Sequence, residues 1–130
     1  MPLRLLIADD HEIVRIGVRI LLRDKHEWEI CGEAENGRDA IAKVRNLSPD
    51  IVLLDLSMPV MNGFEAATEI RRIAPSTKII IYSIHDVPTT ATEVGADAFV
   101  SKSTSAEELI ATIERVTGQS QGIRTKTQSA

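Results

Sequence analysis

The sequence predicts an α/β fold, a parallel five-stranded sheet with helices on both faces. Three observations predict it. Short apolar runs such as Ile51–Leu54 and Ile79–Ile81 have the unbroken hydrophobicity of strands buried on both sides. Stretches between such runs carry apolar residues at helical spacing. Turn-forming residues separate the two kinds of segment. Strands and helices in alternation call for right-handed crossovers and one parallel sheet.

The first strand is Leu3–Ala8, stopped by Asp9-Asp10. From His11 to about Arg23, Ile13, Val14, Gly17, Val18, Leu21 and Leu22 recur at helical spacing and mark an apolar face. Trp28–Glu33 alternates polar and apolar residues, as an edge strand does. Asn36-Gly37 breaks the chain, and a helix follows with Ala40, Ile41, Val44 and Leu47 on one face. It ends at Ser48-Pro49-Asp50, because proline cannot continue a helix. The strand Ile51–Leu54 leads to Asp55. After the Met58-Pro59 loop comes a helix from about Gly63 with Phe64, Ala67 and Ile70 inward, closed by Ala74-Pro75-Ser76. Lys78–Ser83 is the fourth strand. Pro88 is comfortable only at a helix start, which predicts a short helix from about Pro88 to Val94. Gly95-Ala96-Asp97 turns into the fifth strand, Ala98–Ser101, ending near Lys102. Ser105 and Glu108 form a capping box for a final helix with Leu109, Ile110, Ile113 and Val116 as its buried stripe. Residues 118–130 hold one large apolar residue, Ile123, and read as a flexible tail or the start of a linker.

At 130 residues, with 43% hydrophobic and 26% charged, the chain suits one domain with a real core, spanning residues 1–117. A net charge of -4 gives this segment no grip on nucleic acid. The single cysteine, Cys31, excludes an intramolecular disulfide and an all-cysteine metal site, and reads as a small buried strand residue. Leu3–Ala8 is too short to span a membrane and has no cleavage pattern after it, so a cytoplasmic, reducing setting is the default.

Of the common doubly wound strand orders, the flavodoxin-like 2-1-3-4-5 fits best. It sets strands 1 and 3 side by side, so Asp9, Asp10 and Asp55 meet at the carboxyl edge, where such sheets keep their chemistry. Asp55 alone also fits a turn or helix cap. Three acids at one edge repel each other, and a hard divalent cation removes the conflict. Magnesium prefers one or two carboxylates, waters and a phosphoryl oxygen. Ser83 and Lys102 end neighbouring strands and face the same pocket, the hydroxyl as donor and the amine as counter-charge. The chemistry this suggests is attack by Asp55 on a phosphoryl group to give an acyl phosphate, with Mg²⁺ and Lys102 offsetting the charge. Ser83 as an ordinary strand-end serine, and Lys102 as a solvated loop lysine, are the plainer alternatives. His11 reads as a surface residue near the pocket, since oxygen ligands suit magnesium. His85 lies in a loop without a visible partner.

Four segments carry a resemblance. They are Ala8-Asp9-Asp10-His11; Leu54-Asp55-Leu56-Ser57-Met58-Pro59-Val60-Met61-Asn62-Gly63; Ser83; and Gly95-Ala96-Asp97-Ala98-Phe99-Val100-Ser101-Lys102. In that order and spacing the chain resembles the receiver domain of two-component response regulators, over roughly residues 3 to 117. The wording around Asp10 and Cys31 is most similar to the NarL/FixJ (LuxR-type) class. The resemblance implies that Asp55 is the phosphoacceptor. It implies that Asp10, Asp55 and the Ser57 backbone carbonyl bind Mg²⁺ (or Mn²⁺) directly, and that Asp9 acts through water or by orienting the site. Ser83 would bond to the phosphoryl group and Lys102 would pair with it. Phe99, first of all a core aromatic, holds the position of the switch aromatic that follows Ser83. The implied readout surface is the short helix near Pro88, the fifth strand and the final helix.

The implied partner is a sensor histidine kinase, with a homodimer as a further assembly and no membrane. DNA would be reached only through an output domain outside this chain, since 130 residues leave no room for a helix-turn-helix unit after the receiver. A stand-alone receiver acting by protein contact is the alternative. An aspartyl-phosphate phosphatase fits less well, because Ser57 stands where haloacid-dehalogenase-type enzymes carry a second acid. A flavin or nucleotide module lacks its phosphate cradle in the first loop. On this reading the protein catalyses only its own phosphorylation and dephosphorylation. Three features depart from the family. Ser103 replaces a common proline, often preceded by a cis bond. The stretch between Ser83 and Lys102 is short and contains Pro88, which predicts an irregular helix. Ile84 is bulky and restricts access to Asp55.

Overall fold

A computed structural model of the chain describes residues 2–84 and 95–118. The strands are β1 (Leu3–Ala8), β2 (Trp28–Ala34), β3 (Ile51–Leu54), β4 (Lys78–Ser83) and β5 (Ala98–Ser101). The helices are α1 (Glu12–Leu22), α2 (Gly37–Leu47), α3 (Gly63–Ile73) and α4 (Ala106–Thr117). All strand pairs are parallel, and the order is β2-β1-β3-β4-β5. The helix expected at Pro88–Val94 lies outside the described residues, as does the tail beyond Gly118. Among the described residues no helix is long and apolar enough to cross a membrane.

Alternate strand residues feed two cores. Leu6, Val52, Leu54, Ile79 and Ile81 pack with Ala40, Ile41 and Val44 of α2 and Ala66, Ala67 and Ile70 of α3. Leu5, Ile7, Leu53, Ile80 and Val100 pack with Val18 and Leu22 of α1 and Leu109 and Ile113 of α4. Burying each such leucine or isoleucine contributes roughly 1.5–3 kcal/mol, which is why the central strands tolerate no polar residue on either side. The strands therefore run straight from core to edge, and the first polar residue after each apolar run lands at the carboxyl rim.

Local interactions fix where each strand stops. The Asp9 and Asp55 amides donate to Ala34 and Ala8 carbonyls, each at 2.9 Å. The sheet thus continues one residue past the apolar runs and places both acids on its edge. Asn62 caps α3 in a full capping box: its side chain accepts from Glu65 N–H, and Glu65 returns to the Asn62 N–H. At Ser105 the hydroxyl accepts from Glu108 N–H at 3.3 Å. A Cβ added to Gly63 would overlap the Asp55 carbonyl oxygen and sit 2.8 Å from Leu56 Cα. Only glycine lets α3 begin against the backbone of the site. Across the sheet, Arg71 of α3 donates to the Gly95 carbonyl and to Asp97, whose Oδ2 also accepts from Ile79 N–H at 2.8 Å. This clamp holds the turn entering β5 and so sets the register that delivers Lys102.

Several expectations are corrected. Ile13, expected on the apolar face of α1, is 74% exposed. Val18 and Leu22 are buried as expected, and Arg15 joins them on the buried stripe. Cys31 is half-buried because β2 bulges there: Leu5 pairs with Ile30 and Leu6 with Gly32. That bulge also blurs the edge-strand alternation expected for Trp28–Glu33. On α4, Thr112 is buried and satisfies its hydroxyl on the Glu108 carbonyl, while Ile110 and Val116 are only partly buried. No cis peptide bond occurs among the described residues.

Candidate functional site

The site forms at the carboxyl rim of β1, β3, β4 and β5. Asp9 is 2% and Asp55 4% exposed, whereas Asp10 faces solvent. Lys102, just past β5, places Nζ 2.6 Å from Asp9 Oδ2 and 3.3 Å from Asp55 Oδ1. Its backbone N–H donates to the Ser83 carbonyl at 2.9 Å. Ser83 is fully buried opposite Ser101 in the β4–β5 register. The sequence-predicted Asp9, Asp10, Asp55 and Lys102 thus come together, and Ser83 lies on the adjoining strand end.

Burial pushes the Asp55 carboxyl above its ordinary 3.8, the Asp9 charge adds to the rise, and Lys102 only partly offsets them. Burial pulls Lys102 down, but the Asp9 hydrogen bond and the charges of Asp9 and Asp55 outweigh it and hold the amine above 10.5. One amine therefore serves two carboxylates, and Asp55 is left short of positive charge. A further cation would complete the balance. The oxygen donors of Asp9, Asp10 and Asp55 suit a hard divalent ion such as magnesium.

One residue with a place in the site, Arg15, was not singled out by sequence reasoning. Arg15, nearly buried, donates from Nη1 to the Asp9 carbonyl at 2.6 Å and from Nε to Glu33 Oε1 at 2.9 Å. Arg19 also bonds to Glu33, and Lys43 bonds to the Glu33 carbonyl. Arg15 therefore holds the Asp9 backbone from the α1 side. The signal was present: Arg15 lies three and seven residues before Val18 and Leu22, a charge on the buried stripe. His11, at the surface as expected, lies closer to the acids than the sequence suggests. Its Nδ1 is 3.2 Å from Asp9 Oδ1 and 3.1 Å from Asp10 Oδ1.

The loop after Asp55 is held by two buried side chains, Leu56 and Met58, and turns sharply at Val60. Met61 N–H donates to the Pro59 carbonyl at 2.7 Å and Val60 has φ +71°, a strained γ-turn centred on a β-branched residue. Ser57 is exposed on this loop. Phe99 is partly buried against the core between the sheet and α3. Ile84 is 71% exposed beyond β4.

Residues 5–114 match the response regulator receiver domain family. The chain is 39% identical over 112 residues to the response regulator protein VraR of Staphylococcus epidermidis, covering 84% of this chain and 54% of that protein. It spans about half the length of such curated relatives. Among solved structures, a LuxR-family two-component response regulator from Aurantimonas sp. SI85-9A1 superposes with a TM-score of 0.85 at 33% identity, covering 92% of this chain and 87% of that one. A LuxR-family DNA-binding response regulator from Staphylococcus aureus gives 0.81 at 34% identity, covering 88% and 98%.

Proposed function

This chain belongs to the response regulator receiver domain family, and from that premise we propose that it is switched by phosphorylation of Asp55. The observation that carries this reading is the single amine of Lys102 shared between Asp9 and Asp55 at 2.6 and 3.3 Å. It leaves a buried acid at the sheet edge with less positive charge than it needs. Asp10, Asp55 and the Ser57 carbonyl would hold Mg²⁺, or Mn²⁺, with Asp9 orienting the site. The ion, when bound, supplies positive charge beside the phosphoryl oxygens.

An Asp55 carboxylate oxygen forms the bond to phosphorus as the donor's bond to phosphorus breaks, leaving an acyl phosphate. Lys102 transfers its pairing from the Asp55 carboxylate to the new phosphoryl oxygens. Ser83 donates its hydroxyl to them. Phe99 follows Ser83 inward and alters the face of β5 and α4. Ser57, two residues after Asp55, is no general acid, which favours a lasting signal over rapid phosphatase turnover. The donor is a sensor histidine kinase. The output is transcription regulation through a DNA-binding domain outside this chain, a reading supported by the similar Staphylococcus aureus protein described as a DNA-binding response regulator. Residues 1–117 are the receiver in this reading, and 118–130 lead toward that output.

The test is intact-mass analysis after treatment with a small phosphodonor. One added phosphoryl group is expected on the wild-type chain with Mg²⁺, and none on Asp55→Asn. Equal labelling of both proteins would refute the assignment.

A further inference from the structure

We propose that Arg15 is a positioning residue of the site: anchored on Glu33, it fixes the plane of the Asp9–Asp10 peptide and so sets the direction of both acids. It acts through the Asp9 carbonyl and is neither a ligand nor a reacting group. The proposal rests on the reading of the rim as a divalent-cation and phosphoryl site. It goes beyond that reading by assigning the geometry of the acids to an ion pair between α1 and β2.

Arg15 lies on the buried stripe of α1, with Nε donating to Glu33 Oε1 at 2.9 Å and Nη1 to the Asp9 carbonyl at 2.6 Å. A guanidinium is a rigid planar fork, so fixing Nε on Glu33 aims Nη1. Glu33 is itself held from two sides. Arg19 bonds to its carboxylate, and Lys43, also paired with Asp39 at 3.2 Å, bonds to its carbonyl. The Asp9 N–H donates to the Ala34 carbonyl at 2.9 Å. Both backbone polar groups of Asp9 are therefore tied to β2, one directly and one through Arg15. The carbonyl belongs to the planar peptide that joins Asp9 to Asp10. Pinning its oxygen fixes that plane, and with it the direction in which the Asp10 side chain leaves the backbone.

Stability alone does not call for an arginine on this stripe. An apolar side chain there would pack beside Val18 and Leu22 without the cost of burying a charge. Removing one partner of a buried ion pair costs most when it strands the other. Here it does not, since Glu33 would keep Arg19 and its side chain is 27% exposed. The group left without its donor would be the Asp9 carbonyl, next to the acids themselves. The turn after β1 closes on the same peptide, because His11 N–H donates to Asp9 Oδ1 at 2.9 Å. What Arg15 adds is therefore the aim of the acids rather than the cohesion of the fold.

The experiment compares Arg15→Met, Arg15→Lys and Val18→Ala in the full chain. Calorimetric titration reads Mg²⁺ affinity, urea unfolding reads stability, and amide hydrogen exchange reads the metal-free rim. Val18→Ala is the control, since it loosens the same helix from the core and leaves the bonds of Arg15 in place. Arg15→Met should lower Mg²⁺ affinity about tenfold or more, on the scale of losses when groups that orient metal ligands are removed, while Val18→Ala changes it less than about twofold. Before any metal is added, the His11 amide should exchange faster in Arg15→Met than in wild type or Val18→Ala. Arg15→Lys keeps the charge but not the two aimed donors, so it should restore only part of the affinity, leaving a loss of about threefold or more. It carries the same comparison if the methionine variant does not fold. With acetyl phosphate as donor, the Mg²⁺ concentration for half-maximal labelling of Asp55 should rise in step with the lost affinity, and the rate at saturating Mg²⁺ should fall less than about threefold. Wild-type affinity in both Arg15 variants, or an equal loss in Val18→Ala, overturns the positioning role and leaves Asp55 standing as the acceptor. Wild-type protein that binds no Mg²⁺ or takes up no phosphoryl group overturns the reading of the rim, and the proposal with it.

Discussion

Lys102 pairs with Asp9 at 2.6 Å, closer than its 3.3 Å approach to Asp55. The amine therefore rests chiefly on the acid that is not the proposed acceptor. It competes with any cation for the same oxygens, and it also keeps two buried acids from facing each other unpaired.

From this follows an opposed pair of effects for Lys102→Met. Without a metal, the variant should lose about 2–3 kcal/mol of stability, since breaking a buried ion pair strands its partners, though each carboxylate can take up a proton instead. Its Mg²⁺ affinity should rise severalfold. Thermal unfolding with and without Mg²⁺ checks both, and an unchanged affinity would show that the amine does not compete.

Glu33 gives a pH dependence of defined sign. Burial raises its carboxyl, but the hydrogen bonds and charges of Arg19 and Arg15 outweigh it and hold the group below its ordinary 4.5. A depressed acid contributes stability above its unfolded value and loses that contribution as pH falls through the folded one. Glu33→Gln should therefore cost about 1 kcal/mol at neutral pH, a modest figure because Arg19 is partly solvated. The gap should close below pH 4.5. Urea unfolding of both proteins across that range measures it, and a gap that stays constant with pH contradicts the assignment.

One substitution made at two glycines should have opposite outcomes. Gly17→Ala places a methyl where nothing lies within 4 Å, inside α1. It should stabilise by about 0.5–1 kcal/mol through helix propensity. Gly63→Ala drives a methyl into the Asp55 backbone. A cost of about 2–4 kcal/mol is expected, with weakened Mg²⁺ binding, because a strand end rather than a flexible side chain must move. Denaturation midpoints of the two variants on the same side of wild type would contradict the packing described.

Val60→Gly should stabilise by about 1 kcal/mol, the strain relieved at φ +71° less the added freedom of glycine in the unfolded chain. Since Val60 is 69% exposed, little packing is lost. Chemical denaturation provides the measurement; a less stable variant would mean that valine is not strained there.

The sequence by itself determined the strands, their order and the acids at their ends. Long apolar runs such as Ile51–Leu54 have no stable place but the middle of a sheet, so the first polar residue after each must surface at its rim. Asp9 and Asp55 were legible for that reason, and Lys102 from its place just past the last strand. Tertiary structure alone decided which acid Lys102 prefers, why Arg15 is buried, how near His11 stands to the acids and which turn Val60 adopts. Those are relations between distant segments, or choices of one backbone angle. Periodicity records which face a residue occupies. It does not record the partner that makes a charge tolerable there, as Glu33 and the Asp9 carbonyl do for Arg15.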